Sequence, residues 1–204
     1  MTESVKGKEN IEALSGLGMS GTSGLMSGLK GKWAGRWVKA AVVQGAIAAI
    51  VTVLMIQPLS YFNITPYFNP GMVIAGGGGG TWLFTGYILY LVVGVIGVAA
   101  TAGVYLYFEG ILGRVYSGFS NVLAWGQFVL MNVGVAGSML LMMYGGYLAG
   151  WAGAAKSSGG LGYSNYQIHT TYLVHFEDPI GALALVAVLG LVIGGVGFVL
   201  KSRN

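Results

Sequence analysis

Cysteine is absent from the 204 residues, and charge is scarce. Without a thiol there is no disulfide, no thiolate metal site, no iron–sulfur cluster and no cysteine nucleophile. Asp, Glu, Lys and Arg make up 8% of the chain, against roughly 25% in soluble domains. So few charges do not cover a globular surface with hydrated groups. Histidine occurs only at positions 169 and 175, and neither lies in a long apolar run, so a haem held by histidines from two such runs is excluded.

What is present is apolar. Hydrophobic residues account for 55% of the chain and glycine for 37 positions, with a mean hydropathy of +0.73. In water this much glycine would weaken helices; in lipid, small residues let helix backbones approach closely. The net charge of +4 does not indicate a nucleic-acid partner, because the basic residues flank apolar segments, as membrane topology places them.

The pattern predicts an all-α membrane protein, a four-helix transmembrane domain over residues 33–204 preceded by a polar, Gly/Ser-rich cytoplasmic tail over 1–32. Spans are expected at about 37–59, 81–108, 121–151 and 179–200, each long enough to cross a hydrocarbon core about 30 Å thick. The tail reads as mobile, with a weak helix around Ile11, Leu14 and Leu17 on the membrane surface as the alternative. The Gly76–Gly80 run lacks the Lys and Ser/Thr of a phosphate loop and reads as a flexible or tightly turning connection. Asn63-Ile64-Thr65 is a glycosylation sequon on the outer face, whose use Pro66 and the nearness of the membrane disfavour. A long loop is expected over 152–178, with Asp178 capping the last helix and Pro179 in its first turn. Lys30, Lys32, Arg36, Lys39, Arg114, Lys201 and Arg203 fall on one side of a four-span arrangement and only Lys156 on the other. The positive-inside rule then puts both termini in the cytoplasm of a cell-membrane protein.

Inside the spans, Gly86, Gly94 and Gly97 in the second, Gly134 and Gly137 in the third and Gly190, Gly194 and Gly197 in the fourth supply small positions for helix packing, within the chain or onto other subunits. Polar residues are few: Gln44, Gln127, Asn132 and Ser138, with Asn121 at the start of the third span. In lipid these need partners on neighbouring helices. Glu109 ends the second span, where its carboxylate is expected to reach water. Mid-span ionisable groups are lacking, which counts against a proton pump, an ion-coupled transporter or an ion channel. The expected outer loop carries His169, His175, Glu177 and Asp178, a mixed N/O set suited to copper or zinc in composition but matching no standard spacing.

Residues 81–151, with Thr81-Trp82-Leu83-Phe84-Thr85-Gly86-Tyr87, Tyr107-Phe108-Glu109, a Met-Asn-x-Gly run and Met-Met-Tyr-Gly-Gly-Tyr, resemble helix pairs of haem–copper oxidase membrane subunits. The whole chain resembles small multi-span proteins associated with archaeal terminal oxidases. A catalytic oxidase subunit holds its haems and copper through histidines within its helices, which this chain lacks. The resemblance therefore implies a non-catalytic accessory subunit that binds no cofactor itself, packs against other integral membrane subunits and lipid, and leaves haem and copper to its partners. The alternatives are a small self-assembling transporter or channel for a neutral solute, lined by Gln44, Gln127 and Asn132, and an outer-face metal-handling protein.

Overall fold

The structure is a computed structural model that describes residues 31–56, 73–74 and 77–203. The tail, with its alternative surface helix around Ile11, Leu14 and Leu17, the Asn63 sequon and residues 57–59 of the first expected span lie outside the described residues.

Four helices are long and apolar enough to cross a membrane, and the described residues include no strand. The chain is a multi-pass membrane protein. Helix α1 covers Lys32–Ile56. Helix α2 covers Gly78–Ile111, with π-helical turns at Tyr90–Gly97 and Tyr107–Ile111. Helix α3 covers Phe119–Gly153, and α4 covers Asn165–Arg203 with a π-helical turn at His169–Leu173. Side chains point outward over much of this length because lipid, not water, is the surrounding solvent: Val42 is 67% exposed and Leu185 66%.

Helix α3 is the hub. It packs along α4 on one side and α2 on another, while α1 lies along α2 and touches α3. Glycines set these close approaches. A Cβ at Gly134 would stand 2.7 Å from Ala187 Cα and Leu183 O of α4. One at Gly190 would stand 2.7 Å from the Met131 backbone N. One at Gly86 would stand 3.0 Å from Met139 O. Gly194 lies flat against the Gln127 amide, Gly137 against Leu183 and Gly197 more loosely against Leu123. Gly94 and Gly97 meet atoms of their own helix instead.

Two segments differ from the sequence expectation. Gly78–Gly80 form the first turn of α2, not a loop. Gly79 and Gly80 are buried there against Ala149 and the Val73–Ile74 backbone, where a side chain has no room. Helix α4 begins at Asn165, fourteen residues before Pro179 (179 − 165 = 14). Ser164 is the N-cap: its Oγ accepts from the Gln167 N–H at 3.4 Å, and Gln167 Oε1 accepts from the Ser164 N–H at 2.9 Å, a reciprocal capping box. Asp178 and Pro179 therefore lie inside the helix. The proline removes one intrahelical bond there, and the helix continues past it.

Candidate functional site

The polar residues of the spans and the aromatic residues at one end of the bundle form one connected region. Its starting point is the N-terminus of α1, whose first N–H groups have no intrahelical acceptor. Glu109, at the end of α2, supplies one. Its carboxylate accepts from Trp33 N at 2.9 and 3.2 Å and from Ala34 N at 3.0 Å. A negative charge at a helix N-terminus is favourable on both dipole and hydrogen-bond grounds. The half-buried carboxylate thus bonds to the start of α1 while part of the residue stays exposed at the helix end.

Around this cap, Trp33, Trp37, Tyr105 and Phe108 are buried, with the partly buried Phe128 packed against them. Trp33 Nε1 donates to Asn121 Oδ1 at 3.2 Å, tying α1 to α3. The Arg36 guanidinium stands 4.4 Å from the Trp33 ring and 4.6 Å from the Trp125 ring, a double cation–π contact. In the α2–α3 connection, Tyr116 packs on Tyr105 with ring centroids 5.1 Å apart. Lys201 of α4 donates to Val115 O at 2.9 Å and lies over the Tyr116 ring. Burial, and then the negative charge of Glu109, push the Tyr116 phenol above its ordinary value of 10.0.

Deeper in the bundle, the amides expected to need partners have them. Gln44 Nε2 donates to Asn132 Oδ1 at 3.3 Å, and Tyr90, at the start of the π-helical stretch of α2, donates its hydroxyl to Gln44 Oε1. Asn132 Nδ2 donates to Phe128 O at 2.8 Å. Separately, Tyr105 donates its hydroxyl to Gln127 Oε1 at 2.8 Å, and Ser138 Oγ bonds back to Gly134 O at 2.7 Å. Gln44 thus joins three helices, and Gln127 joins α2 to the α3–α4 seam. Tyr90 and Tyr105, absent from the sequence reading, complete both networks. Their only signal was an amphipathic phenol far enough inside a span to require a partner.

At the opposite end, His169 Nδ1 lies 3.4 Å from Glu177 Oε1, both exposed on the first turns of α4. His175 and Asp178 lie on the same helix and are exposed. Among the described residues, no group of three or more His, Asp or Glu side chains is placed to hold a metal ion.

Comparison of the chain with protein-family models, with curated proteins and with solved structures finds no match.

Proposed function

We propose that this protein is a non-catalytic packing subunit of a larger membrane complex, of the terminal-oxidase kind in a respiratory chain, with both termini in the cytoplasm. The observation that carries the reading is the use made of its intramembrane polar groups. Gln44 bonds to both Asn132 and Tyr90, and Tyr105 bonds to Gln127, so these groups hold helix to helix. What they build is a rigid apolar body rather than a polar path.

The outer surfaces support the same reading. Helices α1 and α4 present wide apolar faces through Val38, Val42, Ile50, Leu185, Leu189 and Val192. Glycines also lie on the outside, with nothing among the described residues within 4 Å of an added Cβ: Gly35, Gly181 and Gly195. In lipid, helices associate by close backbone contact and dispersion, and these are surfaces on which a partner helix can seat. The respiratory setting comes from the resemblance of residues 81–151 to oxidase helix pairs, with haem and copper in the partner subunits.

Purification of the native protein in mild detergent, followed by identification of what travels with it, tests the reading. Cofactor-bearing membrane subunits are expected in the same particle; migration solely as a free small oligomer would refute it. The orientation has its own test. Because the chain has no cysteine, Ser202→Cys and Ser157→Cys each give a single thiol. An impermeant maleimide applied to intact cells is expected to label the variant at 157 and not the one at 202.

A further inference from the structure

A groove of about 410 Å3 runs between α1 and α3, lined by Arg36, Lys39, Ala40, Val43, Gln44, Phe128 and Asn132. Positions 36, 39, 40, 43 and 44 share one face of α1 by helical spacing. From Arg36 to Gln44 the helix rises about 12 Å, so the groove starts at the basic end of the bundle and extends well into the span. Its wall is chiefly apolar, and it opens outward past Val43, which is 59% exposed.

The charge at its mouth is unbalanced. Lys32, Arg36, Lys39, Arg114, Lys201 and Arg203 belong to this end of the bundle. Glu109 is the one carboxylate there among the described residues, and it is engaged with the α1 N-terminus. The Arg36 guanidinium is held in place by Trp33 and Trp125, and Arg36 lines the groove; among the described residues its buried Nη1 has no hydrogen-bond partner. A cation fixed by two rings at the groove wall, one turn from the Lys39 ammonium, is suited to an oxyanion. The apolar channel leading inward from it suits a hydrocarbon chain.

We propose that this groove is a binding site for one anionic phospholipid. The phosphodiester sits on Arg36 and Lys39, and one acyl chain lies along Ala40, Val43 and Phe128 toward the Gln44–Asn132 pair. Basic recesses between transmembrane helices are a recurrent means of holding anionic headgroups. A free phosphate would use the mouth of the groove and leave its apolar length empty, which is why the lipid is the occupant chosen. The inference rests on membrane residence alone and is independent of what larger complex the chain joins.

Native mass spectrometry of the full chain, delipidated and exposed to equal amounts of phosphatidylglycerol and phosphatidylcholine, reads the site directly. The wild type is expected to retain phosphatidylglycerol preferentially. Each cation contributes roughly five-fold to that preference, so Lys39→Gln lowers it about five-fold and Arg36→Gln with Lys39→Gln brings it near unity. Lys39→Gln leaves the Arg36–tryptophan stack intact, so it reports even where the double variant fails to fold. Ala40→Phe, which fills the groove and keeps both charges, is expected to abolish the preference. Equal retention of the two lipids by the wild type, an unchanged preference in Lys39→Gln, or an unchanged preference in Ala40→Phe would each overturn the proposal. So would displacement of the lipid by millimolar inorganic phosphate, which would mark a simple anion site.

Discussion

Glu109 accepts the backbone N–H of Trp33 at 2.9 Å, so the last turn of α2 caps the first turn of α1. The same carboxylate also accepts from Ala34 N. Hydrogen bonds to a charged group are worth about 1.5–3 kcal/mol, and loss of an N-cap about 0.5–2 kcal/mol. Glu109→Ala is therefore expected to destabilise the folded protein by about 2 kcal/mol, and Glu109→Gln, which keeps an acceptor oxygen, by less. Thermal unfolding in mild detergent measures both. Equal stability of wild type and Glu109→Ala would show that the cap contributes nothing.

Glycines of one type in the sequence divide sharply in the structure. A methyl group at Gly134 would press into the Ala187 and Leu183 backbone, whereas at Gly195 it would meet nothing within 4 Å among the described residues. Overpacking of a rigid contact costs about 1–3 kcal/mol, while relief of glycine's backbone entropy yields up to about 1 kcal/mol. Gly134→Ala is accordingly expected to lower the unfolding temperature, and Gly195→Ala to leave it unchanged or raise it. If Gly195 instead seats a partner helix, Gly195→Leu will weaken co-purification of that partner without altering the isolated protein's stability.

The amide–phenol network makes a pairwise prediction. Gln44→Leu removes the acceptor of the Tyr90 hydroxyl and the donor to Asn132. Tyr90→Phe removes one of those bonds from the other side. Interhelical hydrogen bonds in membranes average about 0.6 kcal/mol and reach about 1.7 kcal/mol. A double-mutant cycle on Gln44→Leu and Tyr90→Phe should return a coupling within that range, measured by unfolding in detergent. Additive losses would mean that the two side chains act independently.

Four membrane-crossing helices were legible because apolar runs near 20 residues have few other uses, and Lys, Arg, Trp and Pro punctuate their ends. The helix partners were less so. Nothing local distinguishes Gly134, packed on α4, from Gly94, which faces its own helix; that difference arises only when two helices meet. Glu109 and the α1 N-terminus are more than seventy residues apart in the chain, so no spacing rule joins them. The start of α4 was readable in principle. Ser164-x-x-Gln167 is a capping-box pattern, but the Asp178–Pro179 pair, closer to the apolar run, is the more conspicuous signal. Ser164→Ala is expected to cost about 1 kcal/mol and to fray the turns near His169. Amide hydrogen exchange should find residues 169–178 protected in the wild type and faster in the variant. Rapid exchange across 169–178 in the wild type would restore the long loop.

Tyr116 gives a prediction in pH. Its phenol is pushed above 10.0, first by burial and then by the charge of Glu109. Its hydroxyl is buried and has no hydrogen-bond partner among the described residues. The folded protein thus favours the neutral phenol and keeps its proton where an unfolded chain, near pH 10, loses it. The unfolded state then binds fewer protons than the folded one, so stability falls as pH rises. The contribution is whole below about pH 10 and is lost progressively as pH rises from there toward the folded-state value. Tyr116→Phe should be at least as stable as wild type at pH 8, since phenylalanine keeps the ring contacts with Tyr105 and Lys201 and removes only a buried hydroxyl that has no partner among the described residues. Above pH 10, Tyr116→Phe should lose less stability than wild type. Parallel decline of the two proteins in alkali would show that Tyr116 ionises as freely folded as unfolded.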